Sequence, residues 1–175
     1  MYEPPRFWEI HKIIGKKISN IRQRKQDTEE TNGEFLLALS QNCIPAFPLK
    51  KREIRKYKKH WVDVFAPENA DKKKIRKLCV NSRKYTPFLW HIFSFEFLDC
   101  VTGESASELF RQENKGACVI VSNVEPLAYR IDNAKDLTPE LLEQFTDVTV
   151  TAEDFSWTYT KTHEEYCGPY FYQRP

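Results

Sequence analysis

Apolar positions repeat with a helical period in the first half of the chain and gather into short runs in the second. Phe7, Ile10, Ile14, Ile18 and Ile21 recur every three or four residues, with Lys16, Lys17, Arg22 and Arg24 between them. That spacing predicts an amphipathic helix of about five turns. Pro4 and Pro5 stand just before it, where proline is tolerated. Asp27–Gly33 is polar and closes on Asn-Gly, which reads as a loop. Phe35–Leu39 is apolar but too short to assign. A second helix is expected from about Leu49 to Phe65, burying Ile54, Tyr57, Trp61 and Val64 or Phe65, with Pro67 as its stop. A short third helix follows, with Ile75, Leu78 and Cys79 on its inner side.

The pattern changes after Pro87. Phe88–Phe97 is dense in aromatics and reads as a strand buried on both faces. Ser105-Ala-Ser-Glu108 has the form of a capping box and opens a helix through Leu109 and Phe110, which Gly116 ends. Ala117–Val121 and, after Pro126, Leu127–Ile131 read as strands. Thr138-Pro139-Glu140 is a helix start, carrying Leu141, Leu142 and Phe145. Asp147–Val150 and Ser156–Lys161 are two more strands. The expected fold is therefore α+β: a mixed or antiparallel sheet of about five strands, ordered β-α-β-β-α-β-β, with helices packed on it. Residues 1–48 would be a helix-and-loop extension and residues 49–175 the α+β domain.

A chain of 175 residues with 41% hydrophobic and 14% aromatic content can bury a core and does not have the composition of a disordered segment. No apolar run nears the ~20 residues that span a bilayer, and the N-terminus has no signal-peptide pattern, so a cytoplasmic setting with no membrane contact is expected. Five widely spaced cysteines without a C-x-x-C pair argue against a disulfide framework or a structural zinc. Charge changes the picture more. Residues 1–84 carry 21 Lys+Arg against 10 Asp+Glu, and residues 85–175 carry 6 against 15. Such polarity bears on partners: a polyanion for the first half or a cationic partner for the second. The plainer reading is that lysines solvate helix faces or that the halves face each other.

The segment from Trp157 to Phe171 is the most distinctive. A strand alternates through Trp157, Tyr159 and Lys161, reaches His163-Glu164-Glu165, and turns at Gly168-Pro169 between Tyr166 and Tyr170. His163 beside carboxylates is a candidate acid, base or ligand, with Glu164 as its partner. The plainer reading is a strand end with a backbone-bonded histidine. The sequence lacks H-E-x-x-H, so a metal site would have to recruit His91 or Asp99 through the fold. Glycine-rich phosphate loops and a serine nucleophile elbow are absent, and no cofactor is expected. Lys56, Lys58 and Lys59 on the second helix are the candidates for nucleic acid, although no known nucleic-acid motif surrounds them.

From about Leu49 onward the sequence resembles a family of small bacterial proteins, frequent in bacilli, known as a domain of unknown function. The resemblance rests on Trp61-x-x-x-Phe65, on Leu89-Trp90-His91-Ile92-Phe93-Ser94, and on Gly103-Glu104-x-Ala106 with Phe110. Above all it rests on Phe155-Ser156-Trp157-Thr158 with Thr162-His163-Glu164 and Gly168-Pro169-Tyr170-Phe171. It implies an α+β fold and a bacterial cytoplasmic setting, and no activity. The expected function is a non-enzymatic protein-interaction domain, immunity-like or regulatory, that binds a basic partner through an acidic, aromatic C-terminal face. Its anchors would be Trp157, Tyr159, Tyr166, Tyr170 and Tyr172, and its charges Glu153, Asp154, Glu164 and Glu165. The alternatives are a nucleic-acid binder using the basic helices and a small hydrolase using His163 with Glu164.

Overall fold

Seven antiparallel strands form one open sheet in the order β1-β4-β3-β5-β6-β7-β2. They are β1 (Ala46–Pro48), β2 (Val101–Thr102), β3 (Cys118–Ser122), β4 (Ala128–Ile131), β5 (Val148–Ala152), β6 (Trp157–Lys161) and β7 (Tyr170–Gln173). This computed structural model describes the backbone of residues 7–81, 86–123, 127–164 and 166–175, and the side chains of all of these except 7–18, 21, 28 and 31. The readings on Pro4, Pro5, Pro126 and Glu165 lie outside the described residues. The fold is α+β as expected, with β1, β2 and β7 added to the strands expected from sequence.

Both faces of the sheet are covered. Every residue of β3 and β5 is buried. Cys118, Ile120, Val148, Val150, Trp157, Tyr159 and Phe171 point to one face, where they pack with Phe110 of α5 (Glu104–Gln112) and with Phe35 and Leu39 from the end of α1 (Phe7–Gln41). On the other face α2 (Lys51–Phe65) lays Ile54 against Val119 and Val121, and Trp61 packs with α3 (Lys72–Cys79) and α4 (His91–Ser94). Alternate residues of a strand point to opposite faces, so one run of five serves two layers. Phe35, Leu39, Ile44 and β1 show that the last part of residues 1–48 is built into this core.

Four local expectations are corrected. Asp27–Gly33 is not a loop, because α1 runs unbroken to Gln41. An interior Gly costs about 1 kcal/mol, but Gln23 bonds Asp27 at 2.8 Å and Lys25 pairs with Glu29 at 3.6 Å, and Phe35 and Leu39 anchor the helix beyond it. Phe88–Phe97 is not a strand. Trp90 and Phe93 are buried, Phe88 and Phe97 are half-buried and Phe95 is exposed, and Ser94 and Phe95 donate back to the carbonyls of Trp90 and His91 at 3.2 and 3.1 Å, closing the single turn of α4. A short apolar run signals burial without fixing the conformation. Thr138-Pro139 starts only one 3-10 turn, Glu140–Leu142, before the chain enters β5. The cap of α5 also differs: Gly103, at φ 67, precedes Glu104, and no side chain caps the helix start. Its far end closes at Gln112, where buried Lys115 donates to the carbonyls of Phe110, Arg111 and Glu113 at 2.7, 3.2 and 3.2 Å.

The charge asymmetry becomes a layering. Lysines and arginines cover α2 and α3 on one side of the sheet, while Glu104, Glu108, Glu140 and Glu143 stand on the other. Lys58 is an exception on α2. It is half-buried, donates to the Ser122 carbonyl at 3.2 Å, and burial lowers its pKa from 10.5 to about 8. The unfolded chain holds this proton up to about 10.5, so folding is penalised below pH 8 and the penalty fades as pH rises towards 10.5. Lys58→Met is therefore expected to stabilise the protein at pH 7 by about 2 kcal/mol. In urea melts its advantage over the wild type should shrink between pH 8 and 10.5.

Candidate functional site

The antiparallel register of β5 and β6, with Val148 opposite Lys161, sets the residue before β5 beside the loop that follows β6. Asp147 and His163 thereby meet, with His163 Nδ1 2.5 Å from Asp147 Oδ2. Asp147 is wholly buried. Its other oxygen, Oδ1, accepts from Trp90 Nε1 at 2.8 Å, and its backbone carbonyl accepts from Asn123 N at 3.0 Å. Burial pushes the Asp147 carboxyl above its ordinary range, while the His163 charge and the hydrogen bonds from Trp90 and His163 pull it back. The His163 ring packs against Phe88 and Trp90 at 5.2 and 6.2 Å, and its side chain stays 38% exposed. With Nδ1 committed to the carboxylate, Nε2 is left for another group.

His163 forms part of the wall of a polar cleft of about 340 Å³ between α5, the 3-10 turn and the β6–β7 loop. Glu104, Glu140, Glu143 and Glu164 line it with Arg111 and Lys161. Arg111 reaches Glu104, Glu108 and Glu140 at 3.1, 3.2 and 2.6 Å, and holds the Glu140 carboxyl down to about 2. Lys161 reaches Glu143 at 3.0 Å. Two cations thus face four carboxylates along the wall, and the cleft is acidic. The Tyr159 and Ser107 hydroxyls meet each other at 3.3 Å in its depth. Burial and Glu164 push the Cys167 thiol up, away from the reactive thiolate.

The loop is held by its own sequence. Thr162 Oγ1 donates to the Cys167 carbonyl. Gly168 has φ +86, and a Cβ there would lie 3.1 Å from Thr162 Cγ2 and the Tyr170 ring, which only glycine accommodates without displacement. Tyr166 stands on the loop 95% exposed.

The expected surface is therefore only partly present. His163, Glu164 and Tyr166 share one exposed loop. Trp157, Tyr159 and Tyr170 are 3%, 2% and 7% exposed and belong to the core, not to a surface. Tyr172 is half-buried against Phe65. Glu153 and Asp154 occupy the β5–β6 turn at the opposite end of these strands, away from Glu164. Sequence reasoning missed Asp147, Trp90, Arg111, Glu140 and Glu143. Asp147 opens a predicted strand, but nothing in its neighbourhood signals that it would be buried. Among the described residues no cluster of three or more His, Cys, Asp or Glu is placed to hold a metal ion, and no helix is long and apolar enough to cross a membrane.

Residues 47–171 match the family described as Domain of unknown function (DUF4275). No curated protein and no solved structure matches the chain.

Proposed function

Because this chain belongs to the DUF4275 family, a family defined without an activity, we propose its function from the site alone: a protein-interaction domain that captures a basic partner, in the manner of an immunity or regulatory protein. The observation that carries this reading is the fully exposed Tyr166 beside a cleft walled by Glu104, Glu140, Glu143 and Glu164. An exposed tyrosine offers a rigid anchor with little entropy to lose. Surplus carboxylates around it speed encounter with a cation and disfavour acidic competitors. The Asp147–His163 pair holds the loop at the cleft mouth. In affinity purification from the source cell, the full chain should retain a basic protein that Glu164→Lys with Tyr166→Ala loses by about tenfold or more. Undiminished capture by that folded double variant would overturn the reading.

The hydrolase-type reading is favoured by one specific observation. His163 lies at the wall of a concave cleft with a second titratable group at 2.5 Å, which is the geometry an acid–base pair needs. Ser107 is engaged with Tyr159 and the Cys167 thiol is held protonated, so His163 would act on water and not on a side-chain nucleophile. His163→Gln, whose amide can still donate to Asp147 and hold the loop, separates the two readings: turnover depends on the imidazole, whereas partner capture needs only that bond.

A further inference from the structure

We propose that the outer face of α2 and α3 binds the phosphate backbone of double-stranded nucleic acid, independently of sequence. This surface lies across the sheet from the acidic cleft and does not depend on the reading given to that cleft. Residues 50–77 carry twelve Lys+Arg against four Asp+Glu. Lys51, Arg55 and Lys59 are exposed and follow one another at four-residue intervals along α2, about 6 Å apart along the axis. Arg52 and Lys56 form an adjoining exposed row, and Lys73 and Lys77 extend the face onto α3.

The carboxylates of this region are largely occupied elsewhere. Asp63 pairs with Arg76 at 2.5 Å, Asp71 caps α3 by accepting from the Lys73 and Lys74 amides, and Glu53 accepts from the Lys50 amide at the start of α2. The exposed cations of α2 are thus left to the solvent and to whatever anion approaches. A duplex presents about one negative charge per 1.7 Å of axis, and such a row of cations releases its counterions.

The same face disfavours the other polyanions. A membrane surface calls for apolar side chains beside the basic ones, yet the exposed large apolar residues, such as Leu37 and Tyr166, lie outside α2 and α3. A single strand calls for exposed aromatic rings on which bases stack. Trp61 is wholly buried, and Tyr57 is turned inward against Phe155 at 5.6 Å. Lys58, although in the same basic run, points to the Ser122 carbonyl and is not part of the surface.

The test uses the full chain and a fluorescein-labelled DNA duplex of about 20 bp and arbitrary sequence, followed by anisotropy from about 50 to 200 mM salt. Binding is expected at low salt, with log K falling against log salt at a slope of about −3.6 if four phosphates are engaged. Lys51→Glu, Arg55→Glu and Lys59→Glu together should abolish it while the far-UV circular dichroism stays unchanged, and a single Lys59→Glu should weaken it and flatten the slope by about one. Glu164→Lys with Tyr166→Ala, on the β6–β7 loop and outside α2 and α3, should leave it intact. The proposal is overturned by absence of binding up to about 100 µM protein at low salt. Equal affinity in the folded triple variant, tighter binding of the corresponding single strand, or binding of phosphatidylglycerol vesicles but not duplex would overturn it as well.

Discussion

Trp61→Ala is expected to cost about 4 kcal/mol, the largest loss from any single truncation of the α2 layer. Trp61 is 0% exposed and is packed against Phe65 and Phe93 at 4.8 and 6.3 Å. Its indole Nε1 also donates to Thr151 Oγ1 at 3.0 Å and Thr158 Oγ1 at 3.3 Å. Alanine removes the ring and leaves a cavity between α2 and the sheet, and it takes a donor away from two buried hydroxyls. A domain of this kind holds about 5–15 kcal/mol in all, so the variant should sit close to unfolding at 37 °C. Urea denaturation followed by circular dichroism would measure the loss. Trp61→Phe keeps most of the volume and should lose markedly less, roughly 1–2 kcal/mol, most of it from the missing hydrogen bond. Equal losses in the two variants would show that packing of the indole is not what matters.

Those threonines explain why the sheet was only half legible. Val148-Thr149-Val150-Thr151 and Trp157-Thr158-Tyr159-Thr160 alternate as a strand with one face in water would. Yet Thr149, Thr151, Thr158 and Thr160 are all 0% exposed. They pair across the strands, Thr149 with Thr160 at 3.1 Å and Thr151 with Thr158 at 2.9 Å, and so satisfy one another under α2. Alternation identified the strands and their partition correctly. It could not reveal that the polar face is dry, because that depends on where a helix distant in sequence comes to rest. Conversely, the apolar run of Phe88–Phe97 signals the burial of its centre, Leu89 to Phe93, but not the turn that delivers it. The helices α2 and α3 are readable because apolar residues at helical spacing and a stop at Pro67 agree locally, and the structure adds Asp71 as the cap of α3.

Asp147→Ala is the second large effect, a loss of about 3 kcal/mol. The substitution leaves Trp90 Nε1 and His163 Nδ1 without their acceptor. Asp147→Asn keeps the volume and an oxygen for Trp90, and its interest lies in pH. The carboxyl is held above its ordinary range by burial, so the folded chain binds this proton more tightly than the unfolded chain. Its contribution to stability is complete below the unfolded carboxyl range and is lost as pH rises through the raised value. Wild type minus Asp147→Asn should therefore fall in stability as pH rises through the acid range, starting from the ordinary carboxyl value of 3.8. Urea midpoints at intervals over that range would measure it, and a difference that grows with pH would mean that His163 outweighs burial at this carboxylate.

None of this pairing was visible beforehand. Trp90, Asp147 and His163 are 57 and 16 residues apart in successive steps, and no motif links them. His163 and Glu164 stand out as a local sequence, whereas the partner that orients the imidazole is brought to it by strand register.

The sheet also constrains how any second molecule can attach. Its terminal strands are β1, three residues ending in Pro48, and β2, two residues long. Proline offers no amide hydrogen to a newcomer, and two residues provide too little ladder to template one. Growth by strand addition is blunted on both flanks, which protects the protein from edge-to-edge aggregation. Recognition must then proceed through side chains of the two helical layers and the β6–β7 loop, not by lengthening the backbone ladder.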